Sequence, residues 1–206
     1  MSAPKISVII PAYNAAPYLA RTLELVFRQQ TPAHEIIVVN DGSTDNTQQI
    51  IDRYRGKIVT KTIKNSGCSA GRNEGVRLST GDVLAFLDAD DLWFRKKLKV
   101  ISEYLLKYPD SNFFCSNYLV HSSLHRRLVR HYDHLPNRGR LHFNEPLLHP
   151  FTLMLTDNFV GTPSAVVVRK KFFESMGGFD ANCRLAEDLD FFLRAASKTN
   201  FVLSQF

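Results

Sequence analysis

Three carboxylates, Asp88, Asp90 and Asp91, are crowded into four residues at the end of an uninterrupted apolar run, VLAFLDADD over 83–91. Carboxylates this close repel one another unless a cation lies between them. Hard divalent ions such as Mg²⁺ or Mn²⁺ take oxygen ligands and are held by one or two carboxylates together with substrate phosphates. Five apolar residues without alternation predict a strand buried on both faces, as in a parallel sheet. On such a strand Asp88 and Asp90 share one face of the tip while Asp91 turns away. In open α/β sheets, ligands gather beyond the carboxyl ends of the strands. The alternative is a polar strand-to-helix turn in which Asp91 or a neighbour caps a helix over 95–107.

Three further groups carry chemistry. Glu187, Asp188 and Asp190 open a helically patterned stretch, AEDLDFFLR over 186–194. A carboxylate there can serve as a general base at a pocket rim, or it can simply favour the positive end of a helix dipole. Asp41, at the end of EIIVVND, is placed to accept from a base NH or a ribose hydroxyl, or else to cap the next helix. In NSGCSAGRN (65–73), Gly67 and Gly71 keep the backbone thin where a helix begins, and Arg72 lies on that helix. A helix N-terminus with an arginine suits a diphosphate; a Gly/Ala packing face with a surface arginine is the alternative.

The elements that must position these residues are legible as repeats of strand, turn and helix. Lys5–Pro11 reads as a buried strand ended by Pro11, followed by a helix capped by Asn14 with Pro17 in its first turn. Glu35–Asn40 is a second strand, feeding a helix over 43–55; Lys57–Ile63 and a helix over 69–78 make a third unit before the carboxylate-bearing strand. Three such units predict a parallel sheet. Beyond it, 113–120 and 127–132 read as further strands, 147–155 as a short helix, 165–168 as a strand and 170–176 as a helix closed by Gly177-Gly178.

Composition bounds the rest. The chain has 206 residues, enough for one domain with a sizeable core, and 44% hydrophobic residues. No apolar run reaches the roughly 18–20 residues that span a bilayer. Three scattered cysteines suggest neither a disulfide framework nor a zinc site, so a reducing cytoplasm is the expected location. There is no G-x-G-x-x-G after the first strand and no P-loop motif, which removes ordinary dinucleotide and P-loop sites. The net charge of +6 is uneven: Arg126, Arg127, Arg130, Arg138 and Arg140 lie with six of the seven histidines between His121 and His149. That stretch is either a solvated insertion or a contact for something anionic, such as a phosphorylated acceptor or lipid headgroups. Few aromatics interleave with it, so no nucleic-acid partner is expected.

Taken together, six stretches resemble the family 2 glycosyltransferases, an inverting group with the GT-A fold. They are ISVIIPAYN (6–14), VVNDGSTDNT (38–47), NSGCSAGRNEG (65–75), TGDVLAFLDADD (80–91), GGFD (177–180) and AEDLDFFLR (186–194), in the family's order. The resemblance implies an α/β fold of GT-A (Rossmann-like) type, with a mixed, mostly parallel central sheet flanked by helices on both faces. It implies one domain, with 1–108 as the nucleotide-sugar half and 109–206 as the acceptor half. Pro11, Tyr13, Asn14 and Asp41 match positions that hold base and ribose, and Gly67 and Arg72 match the loop and helix beside the nucleotide. Asp88-Ala89-Asp90 matches the DxD signature, with Asp90 a ligand of Mg²⁺ or Mn²⁺ and Asp88 contacting ribose or the metal's water shell. Asp188 matches the catalytic base, with Glu187 its neighbour and the fallback for that role.

The implied reaction is metal-assisted single displacement from a nucleoside-diphosphate sugar, UDP-linked, to a saccharide or lipid-linked acceptor. The alternative is a nucleotide-sugar-binding module that needs an extension or partner, because Phe206 follows soon after the base helix whereas many relatives continue. The lack of Q-x-x-R-W disfavours processive synthases. A nucleotidyltransferase would need a Gly-rich basic loop after the first strand, where Pro11-Ala12-Tyr13-Asn14 stands instead. A cytoplasmic protein peripheral to the inner face of the membrane is expected.

Overall fold

The structure is a computed structural model that describes residues 3–122, 127–183 and 185–205. Its first half runs β1 (Ile6–Ala12), α1 (Leu19–Phe27), β2 (Glu35–Asn40), α2 (Thr47–Arg53), β3 (Val59–Thr62), α3 (Cys68–Leu78) and β4 (Val83–Phe86). All of β1 and β4 is buried, as their unbroken apolar runs require. The four strands are parallel neighbours in the order β3-β2-β1-β4. β3 is exposed at all four residues and forms the edge, where Lys61 helps keep it from pairing with another chain.

The second half continues with α4 (Lys97–Lys107), β5 (Phe113–Ser116), β6 (Leu119–Ser122), β7 (Arg127–Arg130), β8 (Pro146–Leu147), α5 (Pro150–Met154), β9 (Val166–Arg169), α6 (Lys170–Ser175), α7 (Glu187–Ala196) and β10 (Phe201–Ser204). β9 inserts antiparallel between β4 and β5, and the sheet ends β9-β5-β10-β8. Among the described residues, β6 and β7 pair only with each other. One core packs α3, α5, α6 and α7 on one face of the sheet, with Phe86, Phe173, Phe179 and Phe191 at its centre. The other packs α1, α2 and α4 on the opposite face through Leu23, Ile51, Leu98 and Ile101. The expected mixed, mostly parallel sheet with helices on both faces is what forms.

Several local expectations need correcting. Pro11 does not end β1; it lies opposite Val39, and the strand reaches Ala12. Beyond Ile9 the strand pairs with β2 alone, so a missing N–H is tolerated there. Asn14 does not cap α1, which starts five residues later at Leu19 with no side-chain cap. It takes a left-handed φ of 48° instead, and its side chain accepts the Thr44 N–H at 2.9 Å. α2 begins at Thr47, where Asp45 accepts the Thr47 N–H, rather than at Ser43. α4 has no carboxylate cap. The stretch 113–120 breaks into two strands, and the short apolar run Phe201-Val202-Leu203 forms a further one, β10. Of the basic stretch, His125 and Arg126 lie outside the described residues. Among the described residues, no helix is long and apolar enough to cross a membrane.

Candidate active site

Parallel strands bring β1, β2 and β4 to one edge of the sheet, and each ends in a polar turn. At the end of β4 the strand stops at Phe86, and Asp88–Asp91 form a turn closed by the Asp91 N–H on the Asp88 carbonyl at 3.0 Å. The alternation expected of a strand tip therefore does not apply. Asp88 points to Arg72, Asp90 is exposed and accepts no hydrogen bond among the described residues, and Asp91 turns towards Ser164. Burial, and then the charges of Asp88 and Asp90, push the Asp91 carboxyl above the usual carboxylate range.

Arg72 is the centre of the arrangement. Its side chain is 4% exposed, and it donates to Asp88 at 2.7 Å and to Glu187 at 3.0 Å, across 16 and 115 residues of sequence. The guanidinium also lies 5.4 Å from the centre of the Phe179 ring. Burial and the paired carboxylates oppose one another, and Arg72 is held above its ordinary pKa. Its Nε and the nearby Ser69 hydroxyl, both on the first turns of α3, are buried without a partner among the described residues. Buried polar groups are ordinarily hydrogen-bonded, to protein, water, an ion or a ligand.

α3 reaches this position because it has no side chains where it crosses β1. A Cβ on Gly75 would stand 2.4 Å from Ile9 Cγ2, and one on Gly71 3.1 Å from Pro11 Cβ. The loop before α3 is held by Asp41, whose two carboxylate oxygens accept the Ser66 and Gly67 N–H groups at 2.7 and 2.8 Å. Asp41 is thus a scaffold for the loop, and Gly67 supplies the left-handed φ of 89° that starts the helix. Asn73 binds the 177–180 loop in both directions, donating to the Phe179 carbonyl at 2.7 Å and accepting its N–H at 3.1 Å. Sequence reasoning singled out GGFD without this partner.

At the start of α7 the three acids separate. Glu187 pairs with Arg72, Asp190 pairs with Arg194 at 2.7 Å, and Asp188 makes no ion pair among the described residues. One Asp188 oxygen accepts the Leu189 N–H at 2.7 Å. Burial raises its pKa, and the Glu187 charge adds to that. The Tyr118 hydroxyl is raised mainly by burial, and the Asp91 and Asp188 charges contribute. Tyr118 therefore lies in the field of both acidic groups, and nothing in the sequence pattern marked it. Pro11 is buried at the end of β1, and Tyr13 is 49% exposed beside Asn14.

The turn of Pro163–Ala165 fixes the acidic loop from behind. Ser164 accepts the Asp88 N–H on its hydroxyl and the Trp93 Nε1–H on its carbonyl, each at 2.9 Å. Behind that turn sits Lys97, buried with its ammonium on the Ala165 carbonyl (3.2 Å), the Ser116 hydroxyl and the Trp93 ring. Burial pushes its pKa down to about 8. Between about pH 8 and the ordinary lysine value of 10.5, the unfolded chain binds a proton that the folded chain has lost. Stability should rise with pH across that window, by on the order of 3 kcal/mol in all. The check is the difference in unfolding free energy between wild type and Lys97→Met measured at several pH values. A flat difference would remove the charge from this account.

A divalent cation fits the acidic turn by donor chemistry. Asp88, Asp90 and Asp91 are hard oxygen donors whose mutual repulsion a cation relieves. Among the described residues no three His, Cys, Asp or Glu side chains are grouped to hold a metal. Further oxygens would come from the ligand's phosphates.

Residues 7–175 match the model of a family described as glycosyl transferase family 2. An uncharacterized glycosyltransferase of Rickettsia typhi is 29% identical over 200 residues, covering 94% of this chain and 60% of that protein. Residues 1–349 of S. aureus TarS in complex with UDP superpose with a TM-score of 0.70 at 24% identity, over 97% of this chain and 60% of that one. A mannosyltransferase from Pyrobaculum calidifontis, in complex with GDP-Man and Mn²⁺, gives a TM-score of 0.70 at 19% identity, over 100% and 56%. At these identities the two structures speak to the fold. The chain spans about 60% of the length of these proteins.

Proposed function

The chain belongs to glycosyl transferase family 2, and on that premise we propose that it moves one sugar from a nucleoside-diphosphate sugar, UDP-linked, to a hydroxyl of a saccharide or lipid-linked acceptor, with inversion. The observation that carries this reading is the single guanidinium of Arg72 holding both the acidic turn after β4 and the first residue of α7. That contact sets Asp188 beside the turn and leaves it without an ion-pair partner among the described residues.

In this reading 1–108 supplies the donor site. Tyr13, Asn14 and Pro11 take the base and ribose, and Asp41 and Gly67 shape the loop on which the nucleotide lies. Asp90, with Asp88, would hold Mg²⁺ or Mn²⁺, and a Mn²⁺ ion in the P. calidifontis mannosyltransferase supports that choice. When bound, the cation offsets the charge that develops on the departing diphosphate. Asp188 accepts the proton of the acceptor hydroxyl as its oxygen bonds to the anomeric carbon and the carbon–phosphate oxygen bond breaks. A carboxylate pushed up by burial is a stronger base at neutral pH than an exposed one. One base opposite the leaving group gives a single displacement and hence inversion.

Titration calorimetry with UDP tests the donor half. Mn²⁺-dependent binding that is lost in EDTA and in Asp90→Ala is the expected result. Equal affinity in EDTA would take the cation out of the reading, and no binding at all would take the donor site with it. UDP binding without transfer to any acceptor would favour a donor-binding module.

A further inference from the structure

Beyond the acidic turn, a cavity of about 560 Å³ opens where the end of α1 meets the start of α4 and the β6–β7 hairpin rises beside them. Phe94, Arg95, Lys96, Leu119 and Arg130 are among its lining residues, and the lining holds no carboxylate. Pairing of Leu119 with Arg130 and of His121 with Leu128 puts Leu119, Leu128 and Arg130 on one face of the hairpin. The apolar members are exposed: Phe94 by 59%, Leu128 by 61% and Leu119 by 38%. Among the described residues, none of the three cations takes part in an ion pair. Among those residues the Arg95 side chain reaches the Arg28 carbonyl, at 3.4 Å.

This surface carries one sign of charge and large apolar side chains together. A soluble anion has no use for the apolar side chains, and a nucleic acid would need more stacking aromatics than Phe94. Interfacial binding uses both: apolar side chains enter the boundary between headgroups and acyl chains, while lysines and arginines meet lipid phosphates. We propose that this face docks the protein on a bilayer surface rich in anionic phospholipid, with Phe94, Leu119 and Leu128 inserted and Arg95, Lys96 and Arg130 on the headgroups. Phe94 follows the acidic turn by three residues, so the docked surface lies beside the candidate active site.

Vesicle flotation tests this, independently of the donor reading. Wild type is expected to float with vesicles containing phosphatidylglycerol, to stay behind with phosphatidylcholine alone, and to be released by salt. The triple variant Arg95→Glu/Lys96→Glu/Arg130→Glu should lose on the order of a hundredfold in partitioning, and Phe94→Ser/Leu128→Ser should also weaken it. All five positions are surface ones, so both variants should keep the wild-type melting temperature and UDP affinity. Three results would each overturn the proposal: no flotation of the wild type, equal binding to uncharged vesicles, or wild-type binding by the charge variant. Self-association lost in Phe94→Ser/Leu128→Ser without any vesicle binding would assign the face to a second copy of the chain instead.

Discussion

Asp188→Asn is expected to lower sugar transfer by about 10³-fold, within the range that positioned proton transfer supplies, while UDP affinity stays near that of the wild type. The two effects separate because, among the described residues, Asp188 makes no ion pair and holds no part of the loop before α3; its carboxylate accepts the Leu189 N–H. The pH profile gives a second readout. Burial and Glu187 raise the Asp188 pKa, so the acid limb of kcat/KM should fall at higher pH than for an ordinary aspartate, with activity rising as the carboxylate loses its proton. Asp188→Asn should lack that limb. Glu187→Gln is the contrast, since its carboxylate is committed to Arg72 at 3.0 Å. If Glu187→Gln abolished transfer and Asp188→Asn retained it, the roles would have to be exchanged.

Arg72→Met should be strongly destabilising. Removing one member of a buried ion pair leaves an uncompensated charge, and here two carboxylates are left. Asp88 and Glu187 are 27% and 21% exposed and recover some hydration, so the loss should be about 3 kcal/mol, the lower end for such changes. Denaturant unfolding measures it. UDP binding should also fail, because Asp88 loses the group that orients it. Arg72→Lys restores a charge but not a fork that reaches two carboxylates, so it should recover only part of the stability. A fully stable Arg72→Met protein would mean that the two carboxylates find water or each other's protons instead.

What the sequence disclosed follows from how local each cause is. Buried parallel strands announce themselves as apolar runs, and β1, β2 and β4 were legible within a residue or two. The turn residues were legible as types, but their partners were not. Asn14 read as a helix cap because it precedes a helix; its actual partner, Thr44, is 30 residues away. Arg72 read as a phosphate ligand or a surface charge, whereas it bridges carboxylates 16 and 115 residues distant. Lys97 and Tyr118 carried no signal, because a buried lysine and a half-buried tyrosine look like any others until the Pro163–Ala165 turn and α7 come round to meet them. Short strands such as β10, four residues behind a helix, give too few positions for a period to register.

The placement of β9 has a consequence for how the chain must be made. β4 is buried at every residue, but one of its neighbours, β9, is encoded some eighty residues later. Until Val166–Arg169 leaves the ribosome, a nascent chain carries the VLAF strand as a bare apolar edge, open to pairing with another chain. Glu187 and Phe179 arrive later still, so Arg72 and Asn73 emerge 115 and 106 residues before these partners. Residues 1–108 are therefore completed only by elements encoded after them. Any need for protection during translation therefore falls on β4.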